Sequence, residues 1–166
     1  MTVADMSAVY FITQQTKAIL NIEDSSYYRS LILDYQGEVH SHYKPEQIID
    51  HSCLLDFSSL DGRRKSIRNM LKIHSKVPIP VIPDKGIFML PTASVKNKDC
   101  VWLSYYQIDR YEQQGFQTYV EFRDGTGLYI NTSEKSFDMQ FKRTGEVIAR
   151  MSRSIYFDKG VFPWNS

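Results

Sequence analysis

Phe57-Ser58-Ser59-Leu60-Asp61-Gly62-Arg63-Arg64-Lys65-Ser66-Ile67-Arg68 opens a stretch that continues through Lys72, His74 and Lys76 to Val77-Pro78-Ile79 and closes on Ile87-Phe88-Met89-Leu90-Pro91. It reads as a capped, basic helix followed at once by a Pro-punctuated pair of short strands. Ser58 is suited to accept from the backbone N–H groups of the first turn, and Asp61, three residues on, makes a short-armed capping box. At about 100° per residue, Leu60, Ile67 and Leu71 share a narrow arc, with Met70 to one side. Arg64, Arg68, Lys72 and Lys65 fall on the adjacent arc, and Arg63 points to the far flank. One face is built to bury and its neighbour carries cations. The helix is expected to end near His74-Ser75.

No Asp or Glu stands between Gly62 and Pro83. A helix that stabilises its own surface places Glu four residues before Lys or Arg, and none is available here. The overall charge of +1 hides this asymmetry. Residues 1–62 carry nine acids and three bases, residues 63–76 six bases and no acids, and residues 77–166 eleven bases and ten acids. Six like charges in so short a segment repel one another, so a polyanion is the natural partner. The bland alternative is the solvated face of an amphipathic helix.

Working outward, the 166 residues suffice for one domain with a substantial core. Lys17 to Glu23 reads as a strand and Asp24-Ser25-Ser26 as a turn. Tyr28 to Tyr43 reads as a longer extended segment, interrupted at Gln36-Gly37 by a bulge or a second turn. Pro45 at a first helical position, with Ile48, Ile49 and Cys53, predicts a short helix. Pro78, Pro80 and Pro83 forbid helix and interior strand positions. Cys100 to Tyr111 is a β-prone run. Asp124-Gly125, flanked by apolar segments, predicts a hairpin. Thr132 or Ser133 with Glu134 opens a last helix carrying Phe137, Phe141 and Ile148, and on other positions Lys142, Arg143, Arg150 and Arg153. Gly145 weakens that helix in the middle. The expected class is α+β: antiparallel strands and hairpins packed with about three helices, as a single domain over residues 1–153, with a short C-terminal tail over residues 154–166.

Catalytic constellations are absent. There is no P-loop, no G-x-S-x-G, no H-E-x-x-H and no paired CxxC, so the chain reads as no enzyme, with no cofactor. His40 and His42 share a strand face, but no further ligand is spaced to complete a metal site. Cys53 and Cys100 read as two buried thiols. Met1 to Met6 offers neither a positive region nor a long apolar run, against a secretory signal, and no membrane span is evident. Two other readings stay open. One is a protein-interaction module whose basic helix takes an acidic partner. The other is a metal-dependent nuclease using carboxylates brought to the basic patch from residues 1–62.

The run from Gln47 to Trp102 resembles the competence transcription factor family, ComK. Ile48-Ile49-Asp50-x-Ser52-Cys53 carries the resemblance first, then Ser58-Ser59-x-x-Gly62-Arg63-x-Lys or Arg. Lys76-x-Pro78-Ile79 follows, then Ile87-Phe88-x-x-Pro91-Thr92-x-Ser94, then Cys100-x-Trp102. It continues more faintly to about Arg153. It thins over the first fifteen residues and after Arg153, where the family's basic tail is not matched.

The resemblance implies a bacterial, cytoplasmic, sequence-specific transcription activator of competence genes. Such a factor binds paired A/T-rich boxes of double-stranded DNA through the minor groove as a homo-oligomer, a dimer or tetramer on DNA. It also implies an adaptor of a Clp protease as partner. A/T tracts narrow the minor groove and deepen its negative potential, which attracts arginine. Arg63, Arg64 and Arg68 are therefore the expected groove contacts, and Lys65, Lys72 and Lys76 the phosphate contacts. Ser58, Ser59 and a turn at Gly62 would let backbone N–H groups approach a phosphate. An Arg63→Glu, Arg64→Glu double substitution is expected to abolish DNA binding with the fold intact.

Overall fold

Strand β1 (Thr16–Asn21) has a neighbour on each side and a covered layer on each face, and four of its residues in succession are buried. A strand so placed cannot show polar alternation. The rest of the fold is built outward from it. The computed structural model describes residues 9–160, with side chains through Arg153. The reading of Met1 to Met6 and the last six residues of the expected tail lie outside the described residues.

On one side β1 pairs with β2 (Ser30–Asp34), which pairs in turn with β3 (Gly37–Ser41). The extended segment Tyr28–Tyr43 is thus a hairpin. Gln36-Gly37 is a turn rather than a bulge, and Gly37 has a φ of 129°. On its other side β1 pairs with β6 (Val101–Ser104), followed by β5 (Ile87–Pro91) and β4 (Ile79–Ile82), giving the order β3-β2-β1-β6-β5-β4. Every pairing is antiparallel. Pro80 lies opposite Phe88 on β4, at the sheet's edge. There its missing N–H leaves no ladder bond unmade.

The run from Cys100 to Tyr111 is not one strand. After Ser104 a 3-10 turn, Tyr105–Gln107, carries the chain to β7 (Ile108–Gln114) in a second sheet. That sheet is completed by β8 (Gln117–Phe122) and β9 (Gly127–Ile130), with the expected hairpin at Asp124-Gly125. Helices α1 (Pro45–Leu54) and α2 (Leu60–Leu71) cover one face of the large sheet, where Ile19, Ile32 and Trp102 meet Ile48 and Ile67. On the opposite face Ala18, Leu90 and Leu103 meet Val120 and Phe122 of the second sheet and Phe137 of α3 (Glu134–Gly160). Ala18 and Ile19 are consecutive, so each faces a different cluster, as strand geometry requires. The chain is a single α+β domain: among the described residues, nine strands in two sheets with three helices.

Helix α3 is longer than its sequence announced. It continues through Arg153, where the domain was expected to end, to Gly160, 27 residues in all. Its first half packs in the second cluster through Phe137 and Phe141, and Val147 reaches the first. Gly145 has a packing reason. A Cβ there would stand 3.2 Å from the Tyr105 hydroxyl. Among the described residues no helix is long and apolar enough to cross a membrane. Cys53 and Cys100 are both buried and free, and burial pushes the Cys53 thiol up to about 11.

A part-buried polar tie joins the sheets. The Lys17 ammonium, on the buried β1, donates to Asp124 Oδ2 at 2.8 Å and to Thr126 Oγ1 at 2.9 Å. It also lies 5.8 Å from the Phe122 ring centroid. Desolvation opposes ionisation of Asp124, but the hydrogen bonds from Lys17 and Thr126 outweigh it and bring its pKa down from 3.8 to about 2. A depressed carboxylate contributes stability that is complete above the unfolded value and is lost as pH falls through the folded one. Between about pH 4 and pH 2 the wild type therefore loses this contribution. Asp124→Asn should lower stability at pH 7 and flatten the acid limb of a urea-denaturation series over that window. An unchanged acid limb would show that the tie contributes nothing.

Candidate nucleic-acid interface

Helix α1 decides how α2 begins. Its last turns end on the Leu55 cap, and the chain reverses through Asp56, Phe57 and Ser58. Phe57 N donates to Leu54 O at 3.2 Å and Ser58 N to Cys53 O at 3.2 Å. Phe57 sits in the left-handed region, φ 58°. Asp50 of α1 then accepts from Leu60 N at 2.8 Å. The cap itself is Ser59, not Ser58: its hydroxyl accepts from Gly62 N at 3.0 Å. Gly62 is not a turn residue but lies in the first helical turn, where a Cβ would come within 3.2 Å of that same hydroxyl. Two N–H groups at the helix start are thus already committed, to Asp50 and to Ser59. Ser58, Ser59 and Gly62 build the junction.

The helix's missing carboxylates are supplied mainly from outside it. Arg63 Nη2 lies 2.5 Å from Asp56 Oδ2, and Arg64 Nη2 lies 2.7 Å from Glu46 Oε2 on α1, with Asp61 3.4 Å from its Nη1. The side chains of Arg63 and Arg64 are only 19% and 14% exposed. Both guanidiniums strap α2 to α1 and its turn. Sequence spacing could not show this, because Glu46 is eighteen positions from Arg64.

Lys65, Arg68 and Lys72 face solvent, and Lys76 is half-buried. Among the described residues, no carboxylate lies within ion-pair distance of any of the four. The helix stops at Leu71, short of His74, because Lys72 turns left-handed with φ 57°, its N–H donating to Arg68 O. Lys76 is left-handed too, φ 52°. Among the described residues the non-glycine positions with positive φ are Phe57, Lys72 and Lys76. All three flank or end the basic helix. Each such position costs a side-chain-bearing residue about 1–2 kcal/mol.

A second set of cations arrives from α3. Arg143 Nη1 donates to Ser75 O at 3.4 Å, Arg150 Nη1 to Met70 O at 2.8 Å, and Gln140 Nε2 to Lys76 O at 2.6 Å. Arg143 and Lys142 rim a groove floored by Leu71, Ile73 and Met139. The helix phase of α3 was legible, but nothing in the sequence placed Arg143 beside Ser75, 68 residues away. Within α3, Lys142 pairs with Asp138 and Arg150 with Glu146, so Arg143 is the cation that α3 adds beside the basic helix.

Elsewhere His40 packs against Tyr28 at 5.2 Å and His42 against Tyr43 at 4.6 Å between ring centroids. Among the described residues no three of His, Cys, Asp or Glu gather as metal ligands.

The model of the ComK protein family matches residues 7–156. The competence transcription factor of Bacillus subtilis (strain 168) is 32% identical over 136 residues, which is 81% of this chain and 71% of that protein. No solved structure matches the chain significantly.

Proposed function

This chain belongs to the ComK family, and from that premise we propose that it is a transcription activator of competence genes that binds A/T-rich boxes in double-stranded DNA, through the minor groove, as a homo-oligomer. The observation that carries the reading is the pair Lys72 and Lys76, exposed or half-exposed cations without a carboxylate partner among the described residues, held in backbone conformations that glycine would adopt at less cost. Strain of this kind persists where function uses it. Lys65, Arg68, Lys72 and Lys76 contact the duplex, with Arg68 as the arginine free to enter the groove. Arg63 and Arg64 hold that face in place, and Ser58, Ser59 and Gly62 set its starting angle. Arg143 extends the contact along the phosphates. An adaptor of a Clp protease and a cytoplasmic location belong to the same reading, and it includes no catalytic step.

Fluorescence anisotropy tests it. One labelled duplex carries two A/T boxes a helical turn or two apart, and the other is G/C-rich and equally long. Tight, cooperative, A/T-selective binding is expected, with log affinity falling against log salt by about 0.9 per phosphate contact. Equal, weak binding to both duplexes would overturn the reading and leave the basic helix to an acidic protein partner.

A further inference from the structure

We propose that Phe57 is an apolar wedge that enters the minor groove and parts a base step when the face made by Lys65, Arg68 and Lys72 settles on duplex DNA. This rests on the DNA-binding reading above and names the residue that would distort the DNA.

Three observations converge on Phe57. Its backbone has φ 58°, inside a turn closed by the Phe57 N–Leu54 O and Ser58 N–Cys53 O bonds. That hydrogen-bond pattern ends helices with a left-handed residue, usually glycine. Its side chain is 100% exposed, so among the described residues no contact offsets the strain. It also stands just ahead of the Ser59 cap of the helix that carries Lys65, Arg68 and Lys72, which have no carboxylate partner among the described residues. Glycine at position 57 would make the same turn at lower cost and greater solubility. A side chain that is strained, apolar and wholly in water is retained for something outside the chain.

Area decides between DNA and a second protein. Phe57 is flanked outward by Leu54 and Leu55, which are 56% and 55% exposed. Aromatic side chains bury about 150–250 Å² each, and a stable protein interface needs about 800 Å² from each partner. Phe57, Leu54 and Leu55 by themselves supply less than that. A wedge needs only one ring. Minor-groove proteins insert Phe or Leu between base steps and kink the duplex by about 20–90°. Pyrimidine–purine steps such as TA unstack most readily, so the wedge would favour A/T boxes containing TA.

The test compares wild type, Phe57→Gly and Phe57→Leu in the full chain. The DNA is an A/T duplex with 2-aminopurine beside a central TA step and dyes at its ends. Phe57→Gly should raise the melting temperature by a few degrees, because the left-handed strain is removed. It should bind roughly tenfold to a hundredfold more weakly and lose both the 2-aminopurine signal and the bend. Its salt slope should not change, since the phosphate contacts remain. Phe57→Leu should restore part of the bend. Wild-type affinity and bend in Phe57→Gly would overturn the wedge while leaving the DNA reading standing. Loss of self-association in sedimentation velocity, with the bend intact, would assign Phe57 instead to an interface between copies. No duplex binding by the wild type would remove the DNA reading and the wedge together.

Discussion

Reversing Arg68 and Lys72 to glutamate should abolish A/T duplex binding at physiological salt while leaving the urea midpoint within error. Neither side chain makes an ion pair among the described residues, and both face solvent. Surface changes of this kind move stability by about 0.5 kcal/mol or less. Removing two phosphate or groove contacts should lower the salt slope by about 2, with a loss of affinity on the order of a hundredfold or more. The Arg63→Glu, Arg64→Glu pair behaves differently in kind. Glutamate at 63 would face Asp56, and glutamate at 64 would face Glu46 and Asp61. Breaking a half-buried pair and opposing like charges costs about 2 kcal/mol or more. This double variant should therefore lose stability as well as binding, so its loss of binding alone does not identify a DNA contact. Anisotropy paired with urea denaturation separates the cases: a stable Arg68, Lys72 variant that still binds normally would sink the assignment of the face.

A second large effect belongs to the core. Phe122, 1% exposed on β8, packs where the two sheets meet, beneath the Lys17 ammonium. Phe122→Ala should cost about 3–5 kcal/mol, against a total stability of about 5–15 kcal/mol for a domain. Near-UV circular dichroism and calorimetry should show a loosened or part-unfolded protein at 37 °C. Phe116→Ala, at the β7–β8 tip and 96% exposed, is the matched control and should leave the melting curve unmoved. Equal behaviour of the two variants would mean that the sheets are not joined through Phe122.

These two predictions mark what the sequence could and could not say. Local patterns were readable. Pro45 with Ile48 and Ile49 announced α1, the spacing of Leu60, Ile67 and Leu71 announced α2, and Asp124-Gly125 announced a hairpin. Each rests on contacts a few residues apart. Errors arose where a distant partner decides. Cys100 to Tyr111 read as one strand because every residue favours β structure, yet Tyr105–Gln107 turns between two sheets that propensity cannot distinguish. The cap moved from Ser58 to Ser59 because Phe57 takes a left-handed conformation that a phenylalanine does not advertise. Asp61 is the one carboxylate on the helix that reaches Arg64; the closer partners of Arg63 and Arg64 come from the turn before the helix and from α1, at separations that sequence spacing does not reveal. The α3 cations were visible as charges but not as neighbours of Lys76.

The pairing of β1 with β6 joins residues near 18 to residues near 103. Its consequence falls during synthesis. Until Ser104 has left the ribosome, the large sheet exists only as two unjoined pieces, one ending at β1 and the other made of β4 and β5. The cationic stretch is made well before that, and translation adds about 5–20 residues per second. For an interval on the order of seconds, six cations hang from a nascent chain beside ribosomal RNA with no completed sheet behind them. Closure of so long a loop is also the slow kind of folding step. A nascent chain cut off before Val101 would carry the whole cationic segment and none of the rigidity that aims it.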